Sequence, residues 1–178
     1  QPSFQTIVSS CNRFRFLFPH KCIKSILLSN FDNRNKPMQK VQFYFLDRNP
    51  ALKQRTRLKL FIERLFTLEK KKLGNLSYIF CSDDHLLGIN KDFLKHDFYT
   101  DVITFDLSSS KTETEGEIYL SVDRIKDNAR QLGVSFSEEL HRVIFHGALH
   151  LCGYKDKNKN DSTLMRIKED KYLRMYFP

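Results

Sequence analysis

Two histidines, a glycine and an aspartate near the C-terminal end have the spacing of a metal site. His146 and His150 are four residues apart, and Gly153 and Asp156 follow at intervals of three. Helical residues four apart share one face, about 5–6 Å from each other at Cβ, and such histidine pairs most often bind zinc. Gly153 can end the helix in a left-handed conformation, so that the chain turns back and Asp156 supplies a third ligand.

This spacing predicts one zinc ion held by His146, His150 and Asp156. Three protein ligands leave one coordination position open, which is typical of a catalytic site. A zinc ion there would hold a water and lower its pKa to about 7, which suits hydrolysis of a peptide, an ester or a phosphodiester. Nickel and iron also bind nitrogen and oxygen donors. The alternative to any metal is that the two histidines only pack.

Gly147 argues against a zinc peptidase. Extended zinc proteases carry HExxHxxGxxH, in which the glutamate is the general base. In this chain Gly147 stands at the position of that glutamate, and glycine has no side chain that could accept a proton. Because the loss of a general base lowers a rate by about 10²–10⁴-fold, peptide hydrolysis is the least favoured hydrolytic reaction.

The order of strand and helix patterns predicts one α+β domain, β-α-β-α-β-β-α-α-α. Period-2 and β-branched segments indicate strands at 41–46, 76–81, 102–105 and 116–120. Helical patterns cover 49–72, with Pro50 in the first turn, then 82–93, 122–132, 135–151 and 161–176. Ser135 and Glu138 form a capping-box signature at the start of the helix that carries both histidines. Gly74 and Asn75 are expected to break the chain before the second strand.

Composition limits the compartment and the partners. The chain has 178 residues, a net charge of +9 and four cysteines without CxxC spacing, which fits a reducing compartment and predicts a cytoplasmic protein. No apolar run is long enough to span a bilayer, so no membrane partner is expected. The positive charge suggests a polyanionic partner, although residues 1–37 contribute more than half of it, with six basic residues and one acidic residue.

Residues 1–37 lack clear periodicity and are expected to pack loosely, as a non-domain extension of a single domain at 38–178. Three interpretations remain open. The extension could come from a misassigned start codon, with Met38 as the true start. It could be a transit peptide, which would make the protein organellar. It could also be a genuine appendage.

Three segments resemble the YbeY family of bacterial and organellar metal-dependent endoribonucleases, which are linked to ribosomal RNA maturation. Residues 146–154 (HGALHLCGY) are similar to the family signature HGxLHLxGY, residues 100–105 (TDVITF) to TDVLSF, and residues 116–121 (GEIYLS) to GDIxIS. The resemblance extends from about Met38 to the C-terminus. It implies zinc at His146 and His150, single-stranded RNA as substrate, and work on ribosomal RNA precursors and ribosome quality control. It also implies a small mixed sheet of about four strands flanked by helices, with the metal-binding helix in a cleft.

The chain departs from the family pattern at two positions. Asp156 stands where the family usually has a third histidine; a carboxylate also binds zinc but makes the site one charge less positive. Leu94 stands where many members have an arginine thought to assist cleavage. Lys95 and Arg124 are therefore the candidates for contacting phosphate, and Lys95 also for a catalytic role. If neither contributes, the chain cleaves weakly and acts as a zinc-containing ribosome-assembly or RNA-binding factor, with ribosomal or assembly proteins as partners.

Other polar residues carry weaker expectations. Glu117, on a strand that could line the cleft, is the candidate for a supporting catalytic carboxylate, and a solvent-facing position on the sheet is equally compatible. His141 lies about 140° around the helix from His146 and is expected to be exposed. Cys152 points away from the metal face and is expected to be a small buried side chain.

Overall fold

The computed structural model describes residues 7–10 and 39–178, without the side chains of residues 7–10 and of Leu94. It contains a five-stranded mixed sheet in the order β1-β4-β5-β3-β2. Strands β2, β3 and β5 are parallel to one another, β4 is antiparallel to β5, and β1 is parallel to β4. The strands are β1 (Ile7–Ser10), β2 (Val41–Phe45), β3 (Leu73–Cys81), β4 (Val102–Asp106) and β5 (Thr114–Ser121).

Five α-helices of the described residues pack around this sheet. They are α1 (Arg55–Leu68), α2 (Asp83–Ile89), which continues into a π-helical turn at Asn90–Leu94, α3 (Val122–Leu132), α4 (Phe136–Leu151) and α5 (Lys159–Tyr176). The α+β fold class is confirmed, and from Val41 onward the elements follow the predicted order. Within the described part of the chain, no helix combines the length and apolarity that a bilayer crossing requires.

Strand β1 is the one described part of residues 1–37, and it pairs with β4 over Ile7–Ser10. It adds a fifth strand to the four that the sequence pattern predicts. The rest of this segment and Met38 lie outside the described residues, so the predicted loose packing, the domain boundary and the start at Met38 stay predictions.

Helix α1 begins five residues later than Pro50 and ends at Leu68, so the predicted span of 49–72 is too long. Ala51 and Gln54 have left-handed φ angles of 51° and 48°, which a continuous right-handed helix excludes. The side chain of Asn49 also accepts a hydrogen bond from the backbone N–H of Ala51 at 2.9 Å, which is the kind of local turn that competes with a helix.

Gly74 and Asn75 lie inside β3, so the predicted break before this strand is wrong. The register between β3 and β5 shifts between Leu73 and Leu76. The two residues therefore form an irregularity within a continuous strand, which is a common position for glycine in sheets.

Helix α4 lies against β4 and β5 and is covered on its other sides by α1, α3 and α5. Every residue from Glu139 to Leu151 is buried. Ser135 accepts a hydrogen bond from the backbone N–H of Glu138, which confirms the predicted N-cap. The two histidines are thus held in the core of the domain, on its most enclosed helix.

Candidate metal centre

The C-terminal end of α4 directs the chain back toward its own histidines. Gly153 has a φ of 103°, as the sequence predicts. The backbone N–H of Gly153 donates to the carbonyl of His150 at 2.9 Å, and that of Tyr154 donates to the carbonyl of Leu149 at 3.1 Å. This is the hydrogen-bond pattern of a Schellman motif, and it lets Asp156 return to the face that carries both histidines.

The side chains of His146, His150 and Asp156 converge on one point. The two Nε2 atoms are 2.9 Å apart, and Oδ2 of Asp156 is 3.6 Å from Nε2 of His146 and 3.4 Å from Nε2 of His150. In a tetrahedral zinc site with bonds of 2.0–2.1 Å, neighbouring ligand atoms are about 3.3 Å apart. The three donors therefore already have nearly the spacing of one zinc site, and no other group of three such side chains in residues 7–10 and 39–178 does.

The hydrogen bonds of the two imidazoles show which nitrogens can bind a metal. Nδ1 of His146 is 2.7 Å from Oε1 of Glu169, and Nδ1 of His150 is 2.9 Å from the carbonyl oxygen of Tyr154. Both partners accept hydrogen bonds, so each Nδ1 carries the proton of the neutral ring and each Nε2 presents a lone pair. Two lone pairs and a carboxylate that face one another at these distances need a cation, and the residues present fit a divalent metal.

Buried acids surround His146 and favour a cation there. Burial lowers the pKa of His146, but the hydrogen bond and charge of Glu169, together with Asp101 and Asp156, outweigh burial and leave that pKa raised. Burial raises the pKa of Asp101, whose Oδ2 accepts from Asn128 at 3.1 Å. A proton or a metal ion at Nε2 of His146 would neutralise the same excess of negative charge.

Arg142 links this site to α5. Its side chain is buried, and its guanidinium donates to Asp170 at 2.5 Å and to Glu169 at 3.4 Å. Glu169 therefore binds His146 with one oxygen and faces Arg142 with the other. Such a carboxylate–histidine pair fixes the ring and its tautomer at a metal site. Sequence reasoning missed Glu169; the available signal was a charged residue within the buried face that Met165, Tyr172, Leu173 and Tyr176 form on α5.

Glu139 is a further buried acid near Arg142, and it lies on α4. Its side chain is fully buried, 3.8 Å from the guanidinium of Arg142, and neither carboxylate oxygen has a hydrogen-bond partner among the described residues. Burial raises the pKa of Glu139 to about 7, with Asp101 and Glu169 adding to the effect and Arg142 opposing it.

Gly147 brings α4 into close contact with the sheet. A Cβ atom at this position would lie 2.8 Å from Cγ2 of Ile118 and 3.3 Å from Oγ1 of Thr104. A side chain at position 147 would therefore point into β4 and β5. A general base cannot be placed there without displacing the helix, which gives a structural reason for the departure from the protease pattern.

The structure does not bring Glu117 to the histidines. Ile118 faces α4 at Gly147, and because side chains alternate along a strand, Glu117 lies on the opposite face of the sheet. There its Oε2 accepts a hydrogen bond from the hydroxyl of Tyr119 at 2.9 Å. The carboxylate that contacts one of the two histidines in this structure is that of Glu169, not that of Glu117.

Lys95 and Arg124 have different surroundings. Lys95 is exposed, has a left-handed φ of 59° and donates to the carbonyl of Asp92 at 3.3 Å. The guanidinium of Arg124 donates to Asp83 at 2.6 Å and lies 5.0 Å from the ring centroid of Tyr99. Arg124 therefore already has a carboxylate and a ring as partners, whereas Lys95 extends toward solvent.

Two smaller expectations have opposite outcomes. Cys152 is buried with a free thiol, as predicted. His141 is 5% exposed, so the expectation that it lies on the surface is wrong. Its ring stacks on Tyr176, with centroids 4.8 Å apart, and contacts Phe177. The position of His141 on its own helix could not reveal that the end of α5 covers it.

A family model and individual relatives of this chain carry the same name. The family model described as Endoribonuclease YbeY matches residues 45–176. A protein of Cytophaga hutchinsonii named Endoribonuclease YbeY is 47% identical over 131 residues, which cover 74% of this chain and 92% of the relative. One of the same name from Christiangramia forsetii is 39% identical over 140 residues, which cover 78% of this chain and 97% of the relative.

A solved structure also matches. The solution structure of a Thermotoga maritima protein superimposes with a TM-score of 0.55 at 28% sequence identity, and the match covers 77% of this chain and 89% of the other. The arrangement of sheet and helices is therefore shared with an experimentally determined protein.

Proposed function

The chain belongs to the endoribonuclease YbeY family, and we propose that it cleaves single-stranded RNA by hydrolysis at a zinc ion held by His146, His150 and Asp156. Its relatives are named for RNA cleavage. The substrate within this proposal is a ribosomal RNA precursor, and the reaction serves ribosomal RNA maturation and quality control in the cytoplasm. Ribosomal or assembly proteins are the expected partners.

One observation carries the metal dependence in this proposal. The Nε2 atoms of His146 and His150 and Oδ2 of Asp156 converge within 4.8 Å of one another, with both Nδ1 atoms already used by acceptors. A bound zinc ion would supply a more acidic water and neutralise the charge that develops on the phosphate. The side chains around this site fix the positions of the three ligand atoms. Glu169 and the Tyr154 carbonyl orient the two rings, and Asp156 provides the anionic third ligand.

The test combines metal content with RNA cleavage. Wild-type protein should contain zinc and cleave single-stranded RNA, lose cleavage on treatment with a chelator, and recover it when zinc is restored. His150→Ala should lose both zinc and cleavage. His85→Ala removes an exposed histidine far along the chain from the metal site and should keep both. RNA cleavage that persists in His150→Ala after chelation would contradict the proposal.

A second candidate function is a non-catalytic, zinc-containing assembly or RNA-binding factor. The observation in its favour is that the uncharged Leu94 stands at the position of the family arginine and that Arg124 is bound to Asp83, so only Lys95 is left of the two candidates for contacting phosphate. In that case the zinc-loaded protein would bind single-stranded RNA but never cleave it. Peptide hydrolysis has no comparable support, since position 147 faces the sheet.

A further inference from the structure

We propose that Glu69, just after α1, is a positioning residue for the metal site, acting through Tyr154 on the ligand His150. The inference rests on the proposed metal-binding function. It assigns a role to a residue that lies 81 positions before that ligand and outside every motif in the sequence.

The first step of this connection runs from His150 to Tyr154. Nδ1 of His150 donates to the carbonyl oxygen of Tyr154 at 2.9 Å, and a carbonyl can only accept. This contact therefore places the imidazole proton on Nδ1 and turns the lone pair of Nε2 toward the site. The orientation of His150 depends on where the Tyr154 backbone lies.

The second step runs from Tyr154 to Glu69. The hydroxyl of Tyr154 donates to Oε2 of Glu69 at 2.7 Å, and Nζ of Lys168 lies 4.8 Å from the centroid of the Tyr154 ring. Lys168 also donates to both oxygens of Glu69, at 3.0 and 3.1 Å. Tyr172 donates to Oε1 of the same carboxylate. Tyr154 is thus held between the end of α1 and the middle of α5.

The charge state of Glu69 suits this role. Burial raises its pKa, but the hydrogen bonds from Tyr172, Tyr154 and Lys168 outweigh burial, and the pKa is lowered overall. Glu69 is therefore an anion at neutral pH, and its side chain is 9% exposed. An enclosed carboxylate with three donors is a firm attachment point for the tyrosine hydroxyl.

The two histidines differ in what fixes their rings. Glu169, on a regular helix, binds His146 directly, whereas His150 depends on a carbonyl in the irregular segment between α4 and α5. Tyr154 also lies between His150 and Asp156 in the chain, two residues before Asp156. Fixing its ring at Glu69 therefore limits the movement of two of the three ligands, which is a function beyond general packing.

The experiment compares Tyr154→Phe with Tyr172→Phe. Each variant removes one hydroxyl that donates to Glu69 and leaves two donors on the carboxylate, but Tyr172 has no hydrogen bond to a metal ligand. Replacing a group that directly supports a ligand lowers metal affinity by about 10–100-fold. For a group one contact further away, we expect Tyr154→Phe to release zinc to a chelator about 3–10-fold faster than wild type, and Tyr172→Phe to stay within about twofold.

Two further measurements separate positioning from loss of stability. The zinc-free forms of both variants should melt at similar temperatures. ¹⁵N NMR of the histidine rings should show a second tautomer of His150 in zinc-free Tyr154→Phe but not in Tyr172→Phe. Glu69→Gln should also release zinc faster, because the neutral amide accepts more weakly from the Tyr154 hydroxyl. Combining it with Tyr154→Phe should add little, because both changes act on the same contact.

Equal zinc release from Tyr154→Phe and Tyr172→Phe would overturn the inference, as would fully additive effects of Glu69→Gln and Tyr154→Phe. The proposed function is judged separately, on RNA cleavage by the wild type. A wild-type protein that binds zinc without cleaving RNA contradicts the endoribonuclease proposal. The zinc-release comparison then still tests whether Glu69 positions His150. A wild-type protein that binds no zinc contradicts both.

Discussion

The Nε2 atoms of His146 and His150 face each other 2.9 Å apart inside the core of the domain. Each ring already donates its Nδ1 proton, one to Glu169 and the other to the Tyr154 carbonyl. Two neutral imidazoles in this arrangement would point lone pairs at each other, with the carboxylate of Asp156 beside them. A cation between the two Nε2 atoms would remove this unfavourable contact.

Glu169→Gln should weaken zinc binding by about 10–100-fold, because the amide no longer offers His146 a charged acceptor. Asp170→Asn is the matched control. It removes a neighbouring acid that shares Arg142 with Glu169 but does not contact a histidine. Competition with a chromogenic chelator measures both affinities. If the two variants lose the same affinity, the effect belongs to Arg142 and not to the orientation of His146.

Gly147→Ala should destabilise the domain by about 1–3 kcal/mol, because the new methyl group would overlap Ile118 and force α4 away from the sheet. Gly88→Ala is the control. Gly88 also lies in a helix, and its added Cβ would meet no described atom within 4 Å. It should stabilise the protein by about 0.5–1 kcal/mol through helix propensity alone. Urea unfolding of the zinc-free proteins measures both changes in stability. A Gly147→Ala protein more stable than wild type would show that α4 does not pack tightly against Ile118.

Glu139 should make the stability depend on pH. Its pKa is raised from 4.5 to about 7 in the folded protein, so the folded state binds the proton more tightly than the unfolded state. The resulting stabilisation is complete below the unfolded pKa and is lost as pH rises through about 7. This stabilisation is roughly 3 kcal/mol, because one pKa unit corresponds to about 1.4 kcal/mol.

Glu139→Gln removes this titration. Between pH 4.5 and pH 8 the zinc-free variant should therefore lose less stability than zinc-free wild type, by roughly that amount. Zinc must be absent because its binding releases protons and adds its own pH dependence. Unfolding free energies at several pH values give the comparison, and parallel profiles for the two proteins would show that Glu139 ionises in the folded state as it does in the unfolded one.

Lys95→Gln should reduce RNA binding through loss of one phosphate contact. For single strands, each such contact contributes about 0.7 to the slope of log affinity against log salt concentration, so the slope should fall by about that value. Lys91→Gln removes the same charge from a lysine that is already paired with Asp97 at 2.8 Å and should leave the slope unchanged. Fluorescence anisotropy with a single-stranded RNA measures the salt dependence of affinity for both variants. An unaltered slope in Lys95→Gln would show that Lys95 does not contact the RNA.

Sequence reasoning found the parts of the site that are local in the chain. His146, His150, Gly153 and Asp156 lie within eleven residues, so helix geometry and one left-handed glycine suffice to bring them together. Glu169 contacts His146 from α5, and Glu69, at the end of α1, contacts Tyr154 next to the site. Their roles depend on how helices pack, which no spacing along the chain encodes.

The same limit applies to the fold. Strands and helices with regular apolar patterns were predicted in the right order, and Val122–Leu132 has the predicted boundaries. The predicted start of α1 is wrong because Ala51 and Gln54 have a left-handed backbone, and no glycine in the sequence indicates it. The sequence also could not place Glu117 relative to the histidines, because a position on a strand does not tell which face of the sheet their helix covers.

The most direct test of metal-dependent RNA cleavage is zinc content and RNA cleavage measured on one sample, for wild type and for Asp156→Ala. We expect the wild type to contain one zinc ion per chain and to cleave single-stranded RNA. Asp156→Ala should lose most of the zinc and of the cleavage while circular dichroism shows a retained fold. A folded Asp156→Ala protein that keeps its zinc and cleaves RNA at the wild-type rate would contradict the proposed metal site.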